Sequence, residues 1–250
     1  MDGDLITDQP VVHSERPLEP SNSNNGFDDI EEMAWWEALR SGWEQYMLWA
    51  LCFIIFRITL TFLRLSNTKY KPNMKKPCKA MFVLGSGGHT TEMFHLLTDL
   101  NYLLFSPRLY VHGSNDQLSA TRAIQFEGRR KDYVLLPISR IREVHQSLLT
   151  VPFTAALPLF QAPFILLWHR PDVLVANGPG ICIPLILWSF VFAVFCLKRP
   201  VIIFVESFCR VQTLSLTARF MKPFVDRLIV QWRPLHESYK KATRYHGLLV

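Results

Sequence analysis

Closely spaced cysteines are missing from this 250-residue chain. The five present, Cys52, Cys78, Cys182, Cys196 and Cys209, are odd in number and have no near pair. That excludes a small disulfide framework and leaves no zinc-ligand spacing, and it suits a reducing compartment. No Gly-Lys-Ser/Thr follows a glycine-rich turn, so there is no Walker A loop. No unit of roughly 20–50 residues recurs, which argues against a solenoid or propeller. No RNA-binding signature and no base-reading basic helix occurs, which makes nucleic acid the weakest use for a basic chain.

Acids are scarce past residue 45. The net charge of +6 divides into −9 over residues 1–45, which hold eleven acids and two bases, and +15 over the remainder. A basic body suits a membrane surface or a phosphorylated substrate. Large apolar residues are few before residue 30, so residues 1–32 read as an acidic disordered segment. Residues 33–68 read as an interfacial and transmembrane helix, and 69–250 as one folded domain. Trp35, Trp36 and Trp43 precede the apolar run Gln45 to Leu63, nineteen residues long. As a helix it would rise about 28 Å, close to a hydrocarbon core. The alternative is a core helix of a soluble protein. Arg57 interrupts the run near its C-terminal end, where it could snorkel. Acids precede the run, and Arg64, Lys69, Lys71, Lys75, Lys76 and Lys79 follow it. The positive-inside rule therefore puts the N-terminus in a lumen and the body in the cytosol.

From residue 80 apolar strands alternate with helices: strands at 80–84, 108–112, 132–137, 172–176, 201–206 and 226–231, with helices between them. The stretch 148–169 reads as a helix broken by Pro152, Pro158 and Pro163. It and the apolar helix 183–197 are each either core or in contact with lipid. The alternation predicts an α/β fold with a doubly wound parallel sheet, whose ligands bind beyond the C-terminal strand ends.

Four loops there carry polar and glycine residues. In "GSGGHTTE", Gly85, Gly87 and Gly88 allow a sharp turn and close approach, and the helix that follows offers N–H groups to a phosphate or diphosphate. A purely structural turn would need one glycine. Thr90 occupies the third-glycine position of a dinucleotide fingerprint, which weakens that reading. His89 is either a general base or phosphate ligand, or simply part of a helix cap. "SRIREVHQS" offers Arg140, Arg142 and Glu143, either to a diphosphate or to solvent. "NGPG" supplies Asn177, Gly178 and Gly180. "ESFCRV" supplies Glu206, Ser207 and Arg210, with Glu206 either a sugar-hydroxyl ligand or base, or a helix cap. "HESYKKATRYH" reads as a short basic helix that Gly247 ends. Leu248, Leu249 and Val250 then either tuck onto the sheet or dock on a partner.

These four loops, in this order and on these elements, resemble the membrane-anchor subunit of the eukaryotic two-part UDP-N-acetylglucosamine transferase, over residues 45–250. The first loop also resembles that of the bacterial GT-B transferase that completes lipid II. The resemblance implies a single-pass endoplasmic-reticulum protein with a cytosolic Rossmann-like domain, one half of a GT-B transferase. It would receive dolichyl-diphosphate-GlcNAc and recruit a soluble catalytic subunit holding UDP-GlcNAc. The carry-over gives diphosphate contact to Gly87, Gly88, His89 and Thr90, and Gly85, Arg140, Arg142, Glu143, Asn177, Gly178, Gly180, Glu206, Ser207 and Arg210 would frame the acceptor site. His89 and Glu206 are the two candidates for the chemistry, and the sequence does not choose between them. Leu248 to Val250 bind the partner; no cofactor or metal is implied. The length agrees, since a GT-B cleft needs two facing domains and the residues after the span suffice for one. A stand-alone glycosyltransferase, a non-catalytic scaffold and a membrane-bound nucleotide-dependent oxidoreductase are the competing functions.

Overall fold

The computed structural model describes residues 25–67, 76–140, 151–178 and 180–250. Helix α1 (Asn25–Asn67) precedes a run of alternating elements. These are β1 (Cys78–Val83), α2 (Gly88–Leu96), β2 (Phe105–Gly113), α3 (Gln117–Glu127), β3 (Tyr133–Ile138), α4 (Val151–His169), β4 (Val173–Ala176), α5 (Cys182–Val194), β5 (Val201–Val205), α6 (Leu216–Met221), β6 (Arg227–Val230), α7 (Arg233–Ser238) and β7 (Arg244–Tyr245). By internal contacts the chain divides into two compact units, Met1–Cys52 and Phe53–Val250.

In the first unit the described residues are helical from Asn25 on, so part of the stretch expected to be disordered is helix. Trp35, Trp36 and Trp43 are all exposed. Among the described residues one helical stretch, Gly42–Leu65, is long and apolar enough to cross a membrane, and 11% of its apolar window is buried. That low burial is unlike a core helix.

The second unit holds one seven-stranded sheet in the order β3-β2-β1-β4-β5-β6-β7. All six pairings are parallel. The order reverses direction between β1 and β4, which makes their C-terminal ends a topological switch point. Alternate residues of each strand feed two cores. Met81, Val83, Leu174, Ala176, Ile202 and Phe204 face the larger one, under α4, α5 and α6. Ala80, Phe82 and Tyr110 face a smaller one beneath α2 and α3. The predicted parallel doubly wound sheet is thus observed. The two-residue strand β7 was not predicted: "HESYKKATRYH" supplies the end of α7 and then β7, not a single helix. A strand that short carries no periodicity to detect.

Two further expectations fail for instructive reasons. The stretch expected to break at prolines is one helix from Val151 to His169, with Pro158 and Pro163 inside it. Pro163 has no N–H for the carbonyl four residues earlier, that of Leu159. On α5, Trp188 Nε1 donates to that very oxygen at 2.6 Å. Trp188→Phe should therefore lower the thermal midpoint, by the equivalent of about 0.5–1.5 kcal/mol for one lost hydrogen bond. Thermal unfolding in detergent checks this, and an unchanged midpoint would show that the indole N–H is dispensable.

Arg57 does not snorkel. Its Nε and Nη2 donate to Val194 O and Ala193 O, each at 3.0 Å. A guanidinium at a helix C-terminus satisfies carbonyls the helix cannot and offsets the negative end of its dipole. Phe62 packs nearby, its ring centroid 4.8 Å from that of Phe190. All five cysteines are free thiols, and burial pushes the Cys182 thiol pKa up.

Candidate functional site

The loops after β1, β4 and β5 converge on a cleft of about 470 Å³ at the switch point. It is lined by Gly88, His89, Glu92, Gly178, Glu206, Ser207, Cys209, Arg210 and the start of α6. The β1 loop turns at Gly87, whose φ of 63° is the left-handed conformation glycine adopts without strain. Gly88 does not share that φ, and a Cβ built there meets nothing within 4 Å. Close approach, not conformation, is therefore what Gly88 offers. The opening turn of α2 has N–H groups without intrahelical partners, and no side chain caps it. Both features suit an anion.

Thr90 is placed differently from expectation. It is fully buried, and its hydroxyl donates to Gly85 O inside the loop. Ser119 Oγ lies 2.7 Å from Thr90 Oγ1, 3.0 Å from Gly85 O and 2.9 Å from Asp116 Oδ2. Thr90 thus fixes the glycine turn from behind, and its side chain does not reach the cleft.

His89 is half-buried, and its Nδ1 is buried with no hydrogen-bond partner among the described residues. Its ring lies against Gly178, where φ is +71° and a Cβ would come within 2.9 Å of His89 Cε1. The glycine after β4 is thus needed twice, for its backbone conformation and for the imidazole. Gly180 is exposed, with open space around it; the intervening Pro179 lies outside the described residues.

Glu92 is the residue the sequence did not single out. One turn beyond His89, its carboxylate joins three loops. Asn177 Nδ2 donates to Oε2 at 2.8 Å, Ser207 Oγ donates to Oε1 at 2.8 Å, and the Phe208 amide lies 3.4 Å from Oε2. The i, i+3 spacing from His89 on the same helix was the available signal. Asn177 is fully buried, and its Oδ1 is left unpartnered among the described residues.

Glu206 is fully buried at the end of β5. Its Oε1 accepts from the Ser207 amide at 3.1 Å and its Oε2 from the Ser215 amide at 2.9 Å. Of the two roles open to it, the geometry is that of a carboxylate tying both ends of the 207–215 loop. Burial raises its pKa above the usual carboxylate value, opposed by the Ser215 and Ser207 hydrogen bonds and by Arg210. Its ionisation therefore costs stability as pH rises through that raised pKa, and the hydrogen bonds offset part of the cost. Arg210, exposed, is the cationic side chain on the cleft wall.

Not every predicted residue reaches the cleft. Arg140 pairs with Asp116 through Nη2, 3.2 Å from Oδ2, and packs over Gly113. It follows β3, two strands from β1, so the loop starts roughly 10 Å to the side. Arg142 and Glu143 lie outside the described residues. The tail is elsewhere, beyond β7: the Leu249 amide donates to Gln231 Oε1 at 3.2 Å, and Leu248 is 57% exposed.

Fold and cleft define a class: a single nucleotide-fold domain with an anion-receptive crevice at its switch point, whose two cleft carboxylates are both engaged in holding loops. The comparisons name a family. The family model described as "Oligosaccharide biosynthesis protein Alg14 like" matches residues 80–249. The UDP-N-acetylglucosamine transferase subunit alg14 of Schizosaccharomyces pombe is 38% identical over 198 residues, 76% of this chain and 93% of that protein. The corresponding subunit ALG14 of Homo sapiens is 34% identical over 207 residues, 79% of this chain and 93% of that protein. Among solved structures, MurG of Acinetobacter baumannii aligns with a TM-score of 0.48 at 13% identity, over 68% of this chain and 45% of that one. The chain belongs to the Alg14-like family.

Proposed function

We propose that this chain is the membrane anchor and acceptor-side subunit of a two-part UDP-N-acetylglucosamine transferase. It receives dolichyl-diphosphate-GlcNAc on the cytosolic face of the endoplasmic reticulum, and a soluble partner brings UDP-GlcNAc. The observation that carries this reading is the cleft: a helix N-terminus, Gly88, His89 and Arg210 arranged for an anion at the C-terminal edge of the described sheet. The relatives are themselves named as subunits of a UDP-N-acetylglucosamine transferase. α1 would hold the domain at the bilayer, and α4 exposes Phe160, Phe164 and Trp168 in a form suited to lipid contact. Within the cleft the diphosphate would meet the α2 N-terminus and Arg210. His89 is then the group placed to act on the acceptor hydroxyl, since Glu92 and Glu206 are both engaged in holding loops.

A place for the partner is also available. Beyond α2, the sheet face bearing Val173, Val175, Ile203 and Val205 forms an apolar recess of about 370 Å³ with Phe82 and Leu97. An apolar recess of this kind suits a packed subunit. The test is equilibrium binding of UDP-GlcNAc. The purified chain alone should bind it weakly or not at all, and the complex recovered from membranes should bind it. Tight binding by the chain alone would favour a stand-alone transferase, and tight NAD(P) binding an oxidoreductase.

Gly178→Ala should reduce transfer about tenfold or more with the partner still bound. The Cβ strains a positive φ and displaces the imidazole. Transfer in proteoliposomes at the wild-type rate would remove His89 from the mechanism.

A further inference from the structure

A second basic site lies at the opposite end of the sheet from the cleft, where α1 meets α5. A pocket of about 310 Å³ is lined by Arg57, Thr61, Arg64, Cys196, Leu197 and Arg199. Arg57, Thr61, Arg64 and Leu65 fall on one face of the last turns of α1. The guanidiniums of Arg57 and Arg199 are held in place. Arg57 is fixed on the carbonyls of Ala193 and Val194, and Arg199 lies 2.8 Å from Asp226 and donates to Phe224 O at 3.1 Å. The Nε of Arg199 is buried with no partner among the described residues. Three arginines thus line one pocket, with Asp226 paired to Arg199. Arg57 also covers the α5 carbonyls that would otherwise repel an anion. A neighbouring recess sharing Leu65 adds Lys222, Lys241 and Arg244 to the same field.

We propose that this pocket binds the phosphate of an anionic phospholipid headgroup. Fixed guanidiniums bind phosphate without losing side-chain freedom at that moment. The lipid is favoured over free phosphate by position. The pocket adjoins the end of the apolar stretch Gly42–Leu65. Its apolar surroundings include Phe195, 65% exposed, and Leu197, 46% exposed, where acyl chains would lie. Headgroup binding there would fix how the domain sits on the bilayer. The inference rests on the reading of α1 as a membrane anchor.

The test uses the full chain in nanodiscs of phosphatidylcholine with phosphatidylserine, followed by native mass spectrometry of the lipids retained on release. Phosphatidylserine should be retained preferentially. Arg64→Glu and the milder Arg64→Gln should reduce that preference, the reversal by about tenfold. Arg64→Lys should keep most of it, and Arg233→Glu, on α7 and outside the pocket, should keep all of it. Equal retention by wild type and Arg64→Glu, or an equal loss in Arg233→Glu, overturns the proposal. So does stabilisation by inorganic phosphate in discs of phosphatidylcholine alone, which would make the site one for free phosphate. A chain that enters no nanodisc overturns the anchor reading and this one with it, whereas a chain that enters without lipid preference overturns this one alone.

Discussion

Replacing Gly88 by valine is expected to abolish sugar transfer while the fold and the partner's association survive. The substitution is informative because of what surrounds it. A Cβ at Gly88 meets nothing within 4 Å beyond its own helix and chain neighbours, and its φ lies outside the left-handed region, so the chain itself has little reason to object. Gly87→Val would be a poor test by comparison, since φ there is 63° and a β-branched residue would distort the turn outright. At Gly88 the new methyl groups occupy the space in front of the α2 N-terminus, where a phosphate would have to approach the backbone. A displacement of even about 1 Å costs on the order of a hundredfold in rate. Transfer from UDP-GlcNAc to dolichyl-diphosphate-GlcNAc in proteoliposomes is the measurement, with partner recovery measured alongside. A wild-type rate would take the glycine loop out of the mechanism.

Deleting residues 248–250 is expected to strip the soluble partner while leaving the chain in the membrane. The tail follows the edge strand β7 and is only partly tied down. Leu248 is 57% exposed and Val250 37%, and the backbone bond from Leu249 to Gln231 is its recorded anchor. Full burial of such side chains contributes at most about 1.5–3 kcal/mol each before ordering costs. Losing a few kcal/mol weakens association on the order of a hundredfold. Gln231, itself fully buried, also donates to Glu206 O at 3.1 Å. The tail is therefore two hydrogen bonds from the end of β5, and a partner seated on it would press on the same residue that holds the cleft wall. Undiminished recovery of the partner with the deletion mutant would show that the tail serves its own sheet.

The sheet was readable because its strands are nearly continuous apolar runs, which a parallel sheet buried on both faces requires. "AMFVL", "DVLVA" and "VIIFVE" each fall on a strand. The four loops were readable by position, since each follows a strand. What could not be read was direction. Thr90 and Arg140 belong to the expected loops, yet one turns inward to Gly85 and the other sideways to Asp116. Strand order decides this, and sequence does not reveal that β3 sits two strands away from β1. Glu92 was missed for a related reason: its partners Asn177 and Ser207 are 85 and 115 residues distant in sequence. Pro163 inside α4 misled because local rules break a helix there, whereas Trp188 on the next helix supplies the donor for Leu159 O. Arg57 was similar: a lone cation in an apolar run has no visible partner until the end of α5 is beside it.

The claim that the catalytic cleft is divided between two chains is tested most directly by reconstitution from separately purified parts. Proteoliposomes carrying dolichyl-diphosphate-GlcNAc would receive this chain alone, the soluble partner alone, or both, and GlcNAc transfer from UDP-GlcNAc would be followed. The account predicts transfer with both and background with either one. Transfer by this chain alone at the rate of the mixture would contradict it, because a single domain would then be holding donor and acceptor together.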